Sequence, residues 1–307
     1  MPADPAPRDV RLLAEARKAA RDDRNWVEAD RLKAEIESAG WKVVDQGRSF
    51  ELIRARPPDL DVDGVRRYGA SESVPSRLGE PPTVPITVVS VVEDQAPNAG
   101  LLAGAPDVEV VLVANEPSDV AGAVLRGLPV EVVWTNGRFG RAAALNAGIR
   151  RARSAMVVIA APDQDLSLDQ VRAVAAALGD DAVGVAGGAG LRSGDLRTFV
   201  PAAAGEQAAA IDGGLLAFRR EDYVTRGPLD EQFADPHRLD TWWSLVLRNE
   251  GPDQPPRRAQ VVDVGLEPPA PQPRRPDEPT AGRTKAERRN FYRLVREFGA
   301  RRDLGTG

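Results

Sequence analysis

The sequence predicts an α/β protein with a mainly parallel sheet sandwiched by helices, and three observations predict it. The segments "ITVVSVVE", "VEVVLVAN", "VEVVWTN", "AMVVIAA" and "AVGVAGG" are continuous apolar runs of strand length. A strand apolar on both faces is buried on both, as in parallel sheets. Helical or loop segments separate the runs, and that alternation is the pattern of an α/β layer fold. Two of the separating segments carry apolar residues at helical spacing: Leu145, Ile149 and Ala152 in "RAAALNAGIRRAR", and Leu168, Val171, Ala175 and Leu178 in "SLDQVRAVAAAL".

Residues 1–56 read as a small unit of two helices and a hairpin. Leu12, Leu13, Ala16 and Ala20 make a stripe on the first helix, and "RDDRN" interrupts it. Asn25 followed by Glu28 has capping-box spacing, after which Trp26, Ala29, Leu32 and Ile36 recur at helical intervals. Gly40 suits the position just past a helix end, and "WKVVDQGRSFELI" reads as a hairpin turning near Gln46 and Gly47. Residues 57–84 show no periodicity and read as a linker. The strand-bearing domain occupies residues 85–265, a Pro-rich tether 266–282. A last helix covers 283–303, with Phe291, Leu294, Val295 and Phe298 at i, i+3, i+4 and i+7.

Composition narrows the chemistry. The chain has 307 residues, 42% hydrophobic and 28% charged, a balance typical of globular proteins. No apolar run approaches the ~20 residues of a membrane span, and "MPADPAPRDV" lacks a signal pattern, so a cytoplasmic location is expected. The absence of cysteine excludes disulfides, thiolate zinc sites and cysteine nucleophiles. With His237 the single histidine, a metal would be held by oxygen ligands, which favours Mg²⁺ or Mn²⁺ over Zn²⁺. The net charge of -5 argues against nucleic-acid binding by the whole chain. Residues 281–303 are an exception, with eight Lys/Arg against three acids. Two readings are open there: contact with phosphates of RNA or an acidic membrane surface, or docking of the apolar stripe on the chain's own domain.

In open α/β sheets ligands bind at the carboxyl ends of strands. "NGRFGRAAALNAG" puts two glycines and two arginines in a loop that opens a helix. Free N–H groups at the helix start, with Arg138 and Arg141, suit a diphosphate; an ordinary strand-to-helix turn is the alternative. In "APDQDLSLDQ", Asp163 and Asp165 either bridge a divalent ion to phosphate or turn the chain, while Ser167 with Gln170 makes a capping box and Asp169 sits in the first helical turn. In "ADPHRLDTWWSLVLRNEG", Asp235 and Pro236 read as a helix start, with Leu239, Trp243 and Val246 on the buried face. Asp240 and Ser244 fall beside that face, and Asp240 is either a general base or a first-turn acid facing the helix dipole.

The order of these segments is more specific than any one of them. "VLVANEPSD", "GRFGRAAALNAGIRRA", "VVIAAPDQD", "IDGGLLAFRRED", "GPLDEQF" and "LDTWWSLVLRNEG" together resemble a family 2 glycosyltransferase of GT-A fold over residues 85–262. The resemblance implies sugar transfer, with inversion, from a nucleotide-sugar donor to an unknown acceptor. It makes Asn115, Arg138, Gly140, Arg141 and Asn146 donor-side candidates, and puts Gly213 and Gly214 on the sugar and acceptor side. It assigns Asp240 the place of the base, with Leu239-Asp240 where the family has Glu-Asp, and Asp163 and Asp165 the place of the metal-binding D-x-D. Three departures stand out. Ala114 and Asn115 replace acids at the second strand's end, Ala160 and Ala161 stand where the first Asp belongs, and Asp163 and Asp165 come about two residues late. A scaffold without catalysis, its metal site lost, is the competing expectation. The run "ADRLKAEIESAGWKVVD" in the first unit resembles the C-terminal helical end of cysteinyl-tRNA synthetases, which implies at most an RNA- or partner-binding appendage of a tRNA-associated protein; a stabilising helical hairpin is the alternative.

Overall fold

The computed structural model describes residues 6–46, 49–55, 57–212, 214–233, 238–266 and 285–306. The chain divides into two compact units, Met1–Ala70 and Ser71–Gly307.

The first unit contains α1 (Arg8–Asp22), α2 (Trp26–Ser38), β1 (Trp41–Gln46), β2 (Ser49–Arg54), β3 (Leu60–Val62) and β4 (Val65–Tyr68). Its core joins Val10, Ala14, Ile36 and Trp41, with Leu13, Val43, Phe50 and Leu52 packed around them. The stripe on α1 is rotated from the expected one: Val10, Ala14 and Arg17 are buried, while Leu12 is 55% exposed. Arg17 takes a core-facing place because its guanidinium donates to both Asp45 carboxylate oxygens on β1, at 2.9 and 3.2 Å. The Asn25 side chain caps α2 by accepting from the Glu28 N–H. β1 and β2 pair antiparallel with Gln46 at the end of β1, and Gly47, where the turn is expected, lies outside the described residues. The stretch read as a linker carries the antiparallel pair β3 and β4. Asp63 and Gly64 join the two strands with φ of 52° and 75°, the left-handed pair that a two-residue hairpin turn requires.

The second unit begins with a 3₁₀ turn at Ser71–Ser73 and then alternates β5 (Val84–Val92), α3 (Ala99–Leu102), β6 (Val108–Ala114), α4 (Asp119–Arg126), β7 (Glu131–Thr135), α5 (Arg141–Ile149), β8 (Ser154–Ala160) and α6 (Leu168–Ala176). There follow β9 (Val183–Gly187), β10 (Gly190–Arg192), β11 (Val200–Ala202), β12 (Ala210–Ile211), β13 (Leu215–Arg219), α7 (Arg220–Arg226), α8 (Leu239–Arg248), β14 (Arg258–Val261) and α9 (Lys285–Phe298). Within this unit the main sheet has the order β14-β9-β13-β8-β5-β6-β7, and β11-β10-β12 form a small second sheet. The expected mainly parallel sheet is present: β5 pairs parallel with β6 and β8, β6 with β7, and β9 with β14.

β13 is the exception, antiparallel to both β8 and β9. The strands of the small sheet, β10, β11 and β12, lie between β9 and β13 along the chain.

The strands are buried because helices cover both faces. α5 lies directly on β5 and β6: a Cβ on Gly148 would sit 2.5 Å from Val89 Cγ1 and 2.8 Å from Val113 Cγ2. Leu145, Ile149 and Ala152 are buried as expected. Ser167 and Gln170 form the reciprocal capping box that starts α6.

α8 differs from its expected form. It begins at Leu239, preceded by Arg238 at φ 66°, and Asp235 and Pro236 lie outside the described residues, as does His237. Ser244 is fully buried, not beside the buried face, since its hydroxyl accepts from the Ile211 N–H at 3.1 Å. The tether lies from residue 267 onward outside the described residues.

The apolar stripe of α9 docks on its own unit: Leu294 and Phe298 join Leu191, Leu196, Phe199 and Leu245 in one cluster. Arg248, buried at the end of α8, donates to the carbonyls of Ala209 and Leu304 at 2.5 and 2.7 Å and so holds the C-terminal 3₁₀ turn. Burial pushes that guanidinium down to about 10. Among the described residues no helix is long and apolar enough to cross a membrane.

Candidate functional site

A cleft of about 460 Å³ opens at the carboxyl ends of β5 and β6 and the start of α5. Glu93 and Gln95 line it beyond β5, Asn115 beyond β6, and the run Arg138, Phe139, Gly140 and Arg141 closes it. Four of the expected donor-side residues therefore share one cavity.

Asn115 builds the wall of this cleft. Its buried amide nitrogen donates to the Phe139 carbonyl at 3.0 Å and to Glu93 Oε1 at 3.1 Å, and its carbonyl accepts from the Phe139 N–H at 2.8 Å. These bonds clamp the loop between β7 and α5 to the end of β6. Gly140 is the N-cap of α5 and supplies no side-chain cap, which leaves the first N–H groups of the helix without intrahelical acceptors.

The two arginines differ. Arg138 is exposed and pairs with Glu93 through two guanidinium nitrogens, and that carboxylate holds Arg138 above its ordinary pKa. Arg141 is more enclosed, and its Nη2 lies 3.7 Å from Oδ2 of Asp240, whose side chain is 14% exposed. Asp240 occupies the first turn of α8, where the helix dipole favours a negative charge. The structure thus brings a cleft arginine and the expected base into one ion pair.

Asn146 stands apart from the cleft. It is buried, donates to the Leu229 carbonyl at 2.9 Å and Glu231 Oε1 at 3.1 Å, and accepts from the Tyr223 hydroxyl and the Leu229 N–H at 3.0 Å each. All four bonding positions of the amide are occupied by protein, so it ties α5 to the segment preceding α8. Burial raises the pKa of Tyr223, which stays a neutral donor in this network.

Gly214 and the two aspartates form a second group. Gly214 has φ 82°, and a Cβ there would lie 2.8 Å from both Ala161 Cβ and Gln164 Cδ, so glycine is needed on both counts. Its carbonyl accepts from the Ala161 N–H at 2.6 Å. Gly213 lies outside the described residues. Asp163 and Asp165 are exposed on either side of Gln164, whose carbonyl accepts from the Asn98 side chain. That bond joins their loop to the segment that follows β5 into the cleft. Among the described residues no three His, Asp or Glu side chains converge to hold a metal. Two open carboxylates fit a hard cation whose remaining ligands are phosphate oxygens and water, the usual arrangement for Mg²⁺.

Glu93, Gln95 and Phe139 were not among the expected residues. Glu93 had a usable signal, since it follows the first apolar run directly and therefore stands at a strand's carboxyl end. Phe139 had none beyond its place between Arg138 and Gly140.

Residues 78–228 match the family model of glycosyl transferase family 2. The matched region, just under half of the chain, runs from before β5 to past α7. It contains the whole cleft, the loop of Asp163 and Asp165, and Gly214; α8 with Asp240 lies beyond it. Among curated proteins none matches the chain. Solved structures similar to it include a mannosyltransferase from Pyrobaculum calidifontis in complex with GDP-Man and Mn²⁺, at 21% identity and TM-score 0.44, covering 63% of this chain and 59% of that one. Another is residues 1–349 of TarS from S. aureus in complex with UDP, at 13% identity and TM-score 0.47, covering 71% and 65%. The chain therefore spans less than two thirds of the length of either.

Proposed function

We propose that the family 2 region and α8 form a glycosyltransferase that moves a sugar from a nucleoside-diphosphate donor to a hydroxyl acceptor, with inversion, on a GT-A-like sheet. One observation carries the reading: the start of α5 places Arg138, Gly140 and Arg141 in the strand-end cleft, and Arg141 reaches the carboxylate of Asp240. In this reading the diphosphate lies against the free N–H groups of α5 and the two arginines. Gly214 lines the sugar side in this reading. The Asp240 carboxylate accepts the proton of the acceptor hydroxyl as that oxygen bonds to the anomeric carbon. The bond from that carbon to the diphosphate breaks, and its electron pair leaves with the nucleoside diphosphate. Asp163 and Asp165 would hold Mg²⁺ or Mn²⁺, which when bound supplies positive charge to the leaving diphosphate.

A thermal-shift screen of nucleotide-sugars, with and without Mn²⁺, tests the reading. A true donor at ~100 times its dissociation constant adds about 2.7 kcal/mol of stability. A native chain that responds to no member of the panel and shows no turnover is a binding scaffold instead. In calorimetry with UDP or GDP, Mn²⁺ is expected to strengthen binding and Asp165→Asn to remove the gain. Equal affinity in EDTA and in Mn²⁺ excludes the metal role.

Every residue used here lies in the second unit. A chain starting at Ser71 is therefore expected to bind the same ligand as the full chain. A later start removes built-in contacts: the Ser71 hydroxyl donates to Glu231, Val74 is fully buried, and the Val74 carbonyl accepts from Arg150 Nε at 2.7 Å. Lost binding with circular dichroism unchanged would show that the first unit contributes to the site.

A further inference from the structure

We propose that the donor unlocks the base: Arg141 is shared between the donor diphosphate and Asp240, so the arriving diphosphate draws Arg141 away and leaves Asp240 open to the acceptor hydroxyl. The inference rests on the glycosyltransferase reading above and adds to it a coupling between the diphosphate and the base through Arg141.

The Arg141–Asp240 pair is positioned to exchange. At 3.7 Å it is longer than the roughly 2.7–2.9 Å of a charge-assisted hydrogen bond, so attraction holds it without a directed bond. The two side chains are 23% and 14% exposed, which lets the attraction act with little screening by water. Among the described residues Arg141 makes no hydrogen bond through its guanidinium. The other arginines around the sheet are fastened. Arg138 is forked onto Glu93, Arg219 donates to the carbonyls of Val183 and Leu178, and Arg257 donates to both oxygens of Asp222. Among the described residues Arg141 is thus the cleft arginine whose guanidinium makes no hydrogen bond, and a diphosphate offers several charged oxygens in the fork geometry a guanidinium prefers.

Asp240 in turn has two stabilising neighbours, Arg141 and the start of α8. When Arg141 turns to phosphate, the helix start still holds the carboxylate in place while the oxygen that faced Arg141 becomes accessible. Without donor, the same oxygen is covered. An acceptor would then meet an available base only after the sugar is in position, which limits proton removal in the absence of donor.

The coupling makes a binding prediction that is independent of turnover. Asp240 competes with the diphosphate for Arg141, so removing its charge strengthens diphosphate binding. UDP and GDP, which carry no sugar to transfer, are the probes, with affinities taken by calorimetry on the full chain. Asp240→Asn is expected to bind about three- to tenfold more tightly than the native chain, the range of a partly enclosed ion pair. In an Arg141→Gln background, itself weaker in binding, Asp240→Asn should bring no gain. If asparagine disturbs α8, as judged by circular dichroism, Asp240→Ser makes the same comparison. Equal affinity of the native chain and Asp240→Asn overturns the proposal, and so does an equal gain with and without Arg141. If neither UDP nor GDP binds the native chain, the nucleotide reading fails and the coupling falls with it; binding without the double-mutant effect rejects the coupling alone.

Discussion

Asp240→Asn is expected to lower turnover by at least ~10²-fold while leaving the nucleoside diphosphate bound at least as tightly as before. Acceptor attack requires a proton to leave as the new bond forms, and a carboxylate is the expected group to take it. His237 is the single histidine, and there is no cysteine. Asp240 is the carboxylate paired with Arg141, and asparagine keeps its shape while removing its ability to accept a proton. Rates of transfer or donor hydrolysis, measured beside calorimetric affinity, separate the two effects. A variant that turns over normally makes Asp240 a helix-start acid and sends the search for the base elsewhere.

Phe298→Ala is expected to destabilise the second unit by ~3–5 kcal/mol, the usual cost of emptying a buried aromatic site. Phe298 is 2% exposed and packs with Leu191, Leu196, Phe199, Leu245 and Leu304. Against a typical total of about 5–15 kcal/mol the loss is large, and for a unit of this size it lowers Tm by roughly 6–20 °C. Tyr292→Ala, on the exposed side of the same helix at 62% exposure, should stay within about 0.5 kcal/mol. Equal melting of Phe298→Ala and the native chain would mean that the stripe of α9 is free in solution, and the phosphate- or membrane-contact reading of this basic helix would return.

The parallel core was legible because β5, β6 and β8 are buried on both faces and so read as unbroken apolar runs. The capping box at Ser167 and the stripe of α9 were legible because both are local in sequence. Strand direction was not. "LLAFR" is apolar in the same way as its neighbours, and nothing within the run distinguishes an antiparallel strand from a parallel one. β3 and β4 escaped notice because their flanks are mostly polar and partly exposed, leaving Asp63-Gly64 as the one signal.

At the site, the arginine loop could be read from its glycines and its place after a strand. The roles of Asn115 and Asn146 could not, because the groups that occupy their amides, Phe139 and Glu93 for one and Leu229, Glu231 and Tyr223 for the other, come from distant parts of the chain. The pairing of Arg141 with Asp240 likewise exists only once α5 and α8 are folded against the same sheet.

The contact that Gly148 permits has a mechanical meaning. With no side chain between it and the valines of β5 and β6, α5 rests on the sheet without a compressible layer, and Asn146 bolts its flank to the chain around Leu229. The helix start is therefore a fixed datum. The Phe139 loop is fixed in the same way by Asn115, so accommodation of ligands of different size falls to side chains of the cleft such as Arg141. On the proposed donor reading, a diphosphate would meet a fixed helix start, and discrimination among donors would fall to the residues around it.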